Sequence, residues 1–336
     1  MRLLLTTAVI AAMLTLPASA QDAKKALDAY GRQDYATALR EWRPLAERGD
    51  RNAQFFIGQL HHDGQGVAQD YATAASWYRK AAEQGHAEAQ YYLGTIYNDG
   101  LTGRQDYVQA VAWLRKAADR GHAKAQYDLG AMRYEGLGGA QDYAEAASWF
   151  RNAAEQGVAD AQYSLATMYA NGLGVPQDDA EAATWYRKLA DKGDGAAQRE
   201  LGVLYAHGRG VPQSDIEAVR WYRKAAEEGV AEAQRNLGIM YADGRGVPAS
   251  PVDAAKWQLK AADQGDATAQ QLLGGMYALG QGVGRDDVRA HMWTSLAAAQ
   301  GLEPAAQALA EIAKRMTPDD LSKAEALARK WQEKRE

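Results

Sequence analysis

Six histidines, His61, His62, His86, His122, His207 and His291, are the first residues to weigh for chemistry. Imidazole is the commonest metal ligand and the side chain that titrates nearest neutrality. His86 and His122 hold the same place in two successive copies of a repeated segment, 36 residues apart, in what reads as the loop between copies. Neighbouring copies would set them on one edge, but two imidazoles without a cysteine or carboxylate set make a poor metal site. His61-His62-Asp63 resembles a catalytic pair, yet Asp63 aligns with Asp99 and Asp243 of other copies, so the group reads as a solvated loop. Nucleophilic chemistry finds no support. The chain has no cysteine and no Gly-x-Ser-x-Gly elbow, and Ser164, Ser214 and Ser322 have no lysine three residues later. A recurring Gly-x-Gly-Val loop follows a helical segment instead of a strand and lacks a phosphate-gripping lysine, so it is not a nucleotide site. The sequence therefore predicts no catalytic residue, no metal site and no cofactor.

The elements that carry these residues follow one period. Trp77, Trp113, Trp149, Trp185, Trp221, Trp257 and Trp293 are spaced 36 residues apart, and Trp42 precedes Trp77 by 35. Gln54, Gln90, Gln126, Gln162, Gln198, Gln234 and Gln270 keep the same period. A fixed period of this length is the mark of a repeat array in which each unit buries its apolar face only against its neighbours.

Each copy reads as two helices. In the second copy Ala89, Leu93, Ile96 and Tyr97 form one apolar stripe, and Gly100 supplies the left-handed stop. The second helix starts after Asp106, with Asp70, Asp142, Asp178, Ser214, Ser250 and Asp286 as its equivalents. All are good N-caps, and aspartate alternates with serine, so side-chain hydrogen bonding is the constraint. Asp142 with Glu145 and Ser214 with Glu217 have capping-box spacing. Gly94, Gly130, Gly202, Gly238 and Gly274 stand inside first helices, with Ala166 in the fourth copy. A mid-helix glycine costs about 1 kcal/mol relative to alanine, so a close crossing by the second helix is expected at each. The tryptophans then serve as core anchors.

The ends depart from the period. Residues 1–20 carry Arg2, an apolar run from Leu3 to Leu16 and Ala18-Ser19-Ala20, the pattern of a signal peptide cleaved after Ala20. Residues 21–50 read as an N-terminal capping helix pair, 51–301 as seven repeats, and 302–336 as C-terminal capping helices in which Thr317-Pro318 starts the last one. Export to the periplasm or medium is expected, with no stable membrane insertion, because the apolar run is too short to span a bilayer. With 38 basic against 43 acidic residues, the formal charge of −5 gives nothing to hold nucleic acid. The surface suggests a monomer.

The unit resembles the Sel1-like repeat, a relative of the tetratricopeptide repeat. The motifs are A-E-A-Q-Y-Y-L-G at Ala87 to Gly94, G-R-G-V-P at Gly208 to Pro212 and W-Y-R-K-A-A-E at Trp221 to Glu227. His61, Thr102 and the Arg133-Tyr134 pair are local departures from it. The resemblance implies an all-α superhelical solenoid that holds a partner protein or peptide in a concave groove. In related units that groove is lined by first-helix positions two, five, nine, twelve and thirteen. For the second copy these are Glu88, Tyr91, Thr95, Asn98 and Asp99. Position five runs Phe55, Tyr91, Tyr127, Tyr163, Arg199, Arg235, Gln271, which predicts an aromatic half and a basic half. Packing of those rings on the adjacent repeat is the alternative. The expected function is a non-enzymatic interaction scaffold, possible roles being restraint of an envelope sensor or contact with host proteins. A β-lactam-binding or hydrolysing enzyme and a cell-wall glycan binder are the competing readings.

Overall fold

In the computed structural model, which describes residues 18–335, the chain forms eighteen α-helices and, among the described residues, no strand. The expected leader, residues 1–20, lies outside the described residues, save that the first helix starts at Ala18. Contacts divide the chain into two compact units, one reaching Gln162 and including Leu173–Val175, the other holding Tyr163–Gly172 and everything from Pro176. The first unit contains α1 (Ala18–Gly31), α2 (Tyr35–Glu47), α3 (Arg51–Asp63), α4 (Tyr71–Glu83), α5 (Ala87–Asp99), α6 (Tyr107–Ala118), α7 (Ala123–Glu135) and α8 (Tyr143–Glu155). Helix α9 (Ala159–Asn171) is shared between the units. The second unit continues with α10 (Asp179–Ala190), α11 (Gly195–His207), α12 (Asp215–Glu227), α13 (Ala231–Asp243) and α14 (Pro251–Asp263). It ends with α15 (Ala267–Leu279), α16 (Asp287–Ala299), α17 (Glu303–Ala313) and α18 (Pro318–Glu333). Within each unit, helices consecutive in the chain pack as antiparallel pairs, and those pairs stack on their neighbours.

Local chemistry sets the boundaries. Asp70, Asp106, Asp142, Asp178, Ser214, Ser250 and Asp286 each cap a second helix through the side chain. First helices end on left-handed glycines, Gly100 at φ 68° among them. The capping boxes are only half made. Asp142 and Ser214 accept from the backbone N–H of Glu145 and Glu217, at 2.8 and 3.3 Å. Their own N–H groups already donate to the carbonyls of Arg133 and Tyr205, both at 2.9 Å, so the glutamates are not needed there. Glu145 instead accepts from the Trp149 indole and pairs with Arg115 and Arg133.

The mid-helix glycines sit where the expected crossing occurs. A Cβ on Gly94 would fall 2.7 Å from Leu114, and one on Gly202 would fall 2.6 Å from the Tyr222 ring. The crossing residue always follows the repeat tryptophan. Tyr78, Leu114, Phe150, Tyr186 and Tyr222 are all buried there.

The tryptophans need a correction. Trp113, Trp185, Trp221, Trp257 and Trp293 are buried, but Trp77 and Trp149 are only half-buried. Each is a wedge against the preceding helix pair, Trp113 against Phe55, Tyr78 and Leu93, and Trp149 against Val111, Leu114 and Leu129. Their outer faces carry lysines, Lys80 at 3.9 Å from the Trp77 ring centre and Lys188 at 3.6 Å from that of Trp185. At the C-terminus α18 packs Ala324, Ala328 and Trp331 on the last core, whereas Leu327 is exposed.

The periodic glutamine forms the joint between copies. In every copy its Nε2 donates to the carbonyl eight residues earlier, at the end of the previous second helix, as from Gln90 to Ala82 at 2.9 Å and Gln270 to Ala262 at 3.2 Å. Each carbonyl also accepts from the glycine N–H of the following turn, as Ala82 does from Gly85 at 2.9 Å, and the buried amide adds a bond that ties the two chain segments together. Where the following turn offers a glutamine, that residue donates back, as Gln156 does to Gln126 at 2.7 Å and Gln264 to Gln234 at 2.8 Å.

Candidate functional site

Position five of the first six copies is occupied with internal contacts, while Gln271 of the seventh lines an open cavity. Phe55 stacks on His86 at 4.6 Å and Tyr91 on His122 at 4.5 Å. These histidines lie in the turns between copies, as the sequence suggested, and serve there as N-caps. The Nδ1 of His86 accepts from Ala89 N–H at 3.2 Å, and that of His122 from Ala125 N–H at 3.1 Å. Burial, reinforced by Arg51, holds His86 below the usual imidazole range. Tyr127 lies on Phe150 at 5.7 Å, and Tyr163 meets Tyr186 edge-on at 5.4 Å. The expected basic stripe is neutralised. Arg199 pairs with Glu200 at 2.8 Å, and Arg235 reaches Asp266, the N-cap of α15, at 2.7 Å.

The remaining residues expected to line the groove are placed on the first unit. Glu88 is exposed and lies 3.2 Å from His122. Thr95 donates to the Tyr92 carbonyl and Asn98 to Asp99, both at 2.9 Å. Thr95 and Asn98 line a recess of about 150 Å³ with Asp128, Met132, Glu135 and Leu137. Burial there raises the Asp128 carboxyl to about 6, against the opposing hydrogen bond from Tyr91. His61, His62 and Asp63, expected in a loop, form the last turn of α3, with His62 2.8 Å from Asp63.

A wide opening lies in the second unit. A cavity of about 830 Å³ is walled by α13, α15 and α17, with Ile239, Ala242, Leu272, Gly275, Leu279 and Ile312 along its sides and Gln258 and Thr294 beneath. That volume falls within the usual range of ligand pockets. Ile239, Ala242 and Asp243 are positions nine, twelve and thirteen of the sixth copy, and Gly275, Ala278 and Leu279 are the same positions of the seventh. The sequence reading named none of these apolar residues, although the position rule extended to later copies would have reached them. Leu272 and Leu279 remain 37% and 67% exposed.

The Sel1 repeat family model matches seven consecutive segments, 51–86, 87–122, 123–158, 159–194, 195–230, 231–266 and 267–302. The chain belongs to the Sel1 repeat family. Among solved structures it is similar to a Sel1 repeat protein from Oxalobacter formigenes, at 33% identity over 88% of this chain and 87% of that one, with a TM-score of 0.65. It is also similar to c5321, a protective antigen of uropathogenic Escherichia coli strains displaying the same repeat fold. That match is at 27% identity over 95% of each chain, with a TM-score of 0.52. No curated protein matches the chain. The Sel1 solenoid is a fold typical of protein interaction scaffolds, and among the described residues no helix is long and apolar enough to cross a membrane.

Proposed function

We propose that this Sel1 repeat protein is an exported, monomeric, non-enzymatic scaffold that grips a partner protein or peptide along its first helices. One observation carries the reading: three successive first helices, α13, α15 and α17, wall an open apolar cavity with two exposed leucines at its mouth. Exposed apolar surface gathered in a concavity is the usual mark of an interaction site. The leader-like residues 1–20 support an envelope or extracellular address, with the mature chain starting at Gln21.

The test places a photo-cross-linking amino acid at Leu279 and, separately, at Ile216, an exposed residue in the first turn of α12, in otherwise full-length protein in cells. A single dominant protein adduct from Leu279 and none from Ile216 is the expected result. An adduct from Ile216 alone would move the interface to the second helices, and the absence of adducts from both would defeat the reading. Nitrocefin turnover that survives purification would overturn the non-enzymatic assignment. N-terminal sequencing of the envelope or secreted fraction checks the processing site.

A further inference from the structure

The start of the array carries a chemistry that the repeats do not. Helix α1 lays Ala26 and Ala29 on the first core, where they join Trp42 and Ile57, and Ala23 packs at the edge of the same cluster. Ahead of Ala23 the helix turns to solvent. Gln21 is exposed, and its carboxamide makes no hydrogen bond to another described residue. Glutamines of the repeats are held, Gln90 by the Ala82 carbonyl at 2.9 Å and Gln141 by the Tyr134 carbonyl at 2.7 Å. Gln21 is free to fold back on its own backbone.

Processing after Ala20 makes this free glutamine the new terminus. Ala18, Ser19 and Ala20 leave the helix, Gln21 becomes its first residue, and the Gln21 α-nitrogen becomes an ammonium. The first turn of a helix holds the positive end of the backbone dipole and disfavours a cation there. Lys24 and Lys25 follow within one turn, and only Lys25 has a carboxylate beside it, Asp22 at 3.6 Å. An added charge at Gln21 is therefore poorly placed.

We propose that Gln21 of the processed chain closes into pyroglutamate, giving the exported protein a blocked, uncharged start. The neutral α-amine attacks Cδ of its own carboxamide. The Nα–Cδ bond forms, the Cδ–Nε2 bond breaks, and Nε2 departs as ammonia with the proton that the amine gives up. No oxidant, cofactor or second substrate enters. Closure removes the charge that the helix end opposes. It also leaves no α-amine for an aminopeptidase to engage. That protection matters at this place, since termini are where proteolysis concentrates. Trimming into α1 would strip Ala26 and Ala29, both fully buried, from Trp42 and Ile57 and so open the first core. The inference rests on the export reading, from which it takes the position of the terminus.

The test uses the full chain, expressed with its leader and purified from the envelope or the medium. Its intact mass, taken before any digestion, should fit a chain starting at residue 21 less about 17 Da, the ammonia lost on closure. Stepwise N-terminal degradation should be blocked, and should read Asp22-Ala23-Lys24 once pyroglutamyl aminopeptidase has removed the lactam. Gln21→Ala cannot cyclise. It should be read directly from residue 21 and be shortened by a general aminopeptidase that leaves the parent intact. Should that variant escape processing, the parent freed of its lactam supplies the unblocked chain for the same comparison. A chain starting at residue 21 with no ammonia lost would overturn the closure and leave the processing site standing. A start at any other residue would overturn the processing site and the closure together. Equal resistance of blocked and unblocked chains would overturn the protective role.

Discussion

Gln126 touches two copies at once, donating to Ala118 O at 3.1 Å and accepting from Gln156 Nε2 at 2.7 Å. Gln126→Ala removes both bonds, although the Ala118 carbonyl keeps the Gly121 N–H at 2.9 Å, so urea denaturation should show a loss of about 0.5–1.5 kcal/mol per bond removed. Two glycines of the same helical type should respond with opposite signs. Gly202→Ala forces a methyl against the Tyr222 ring and should destabilise by about 1–3 kcal/mol. Gly275→Ala meets open space and should stabilise by up to about 1 kcal/mol, the ordinary helix preference. A third prediction concerns pH. His86 caps α5 through an unprotonated Nδ1, and burial lowers its affinity for a proton below the ordinary value of 6.5. The unfolded chain therefore binds the proton more readily. The stability contributed by this cap is complete above pH 6.5 and is lost as pH falls below it. Asparagine caps without titrating, so Tm measured from pH 7.5 to 5 should fall less steeply for His86→Asn than for the parent.

The helix pair was largely legible in advance, and the reasons are physical. N-cap chemistry requires a short polar side chain at one point, and a left-handed stop requires glycine, so Asp106 and Gly100 mark α6 and α5 in any context. Depth of burial was less legible. Tryptophan recurs for its shape as a wedge, and a recurring wedge can lie at the edge of a core, as Trp149 does. Trp113→Ala should therefore cost about 3–5 kcal/mol, and Trp149→Ala measurably less, in parallel denaturant titrations. The candidate site was legible only as a set of positions. Tyr91, Arg199 and Arg235 were singled out for their type, but type does not reveal that a histidine cap or a carboxylate stands within reach, on the next copy for Tyr91 and Arg235 and on the same helix for Arg199. The apolar cavity was missed for the opposite reason. It is made by what Gln258, Thr294 and Gly275 lack, and a missing ring leaves no motif.

Helix contacts in each unit run mainly between consecutive helices, with α16 to α18 as an added link at the end. Stability in such an array is close to a sum of local terms. Leu93→Ala and Leu237→Ala, both fully buried and in different units, should each destabilise by about 2–5 kcal/mol. Their double variant should match the sum within about 0.5 kcal/mol.

The glutamine joint carries a further meaning for how such a chain can change. Because every copy docks through the same amide and the same helix-end carbonyl, the coupling is a standard fitting, indifferent to which copy stands on either side. Duplicating 195–230, or deleting it, would create no new junction chemistry. Length is thus free to drift by whole copies through unequal recombination, while specificity accumulates separately in the few positions that no fitting uses.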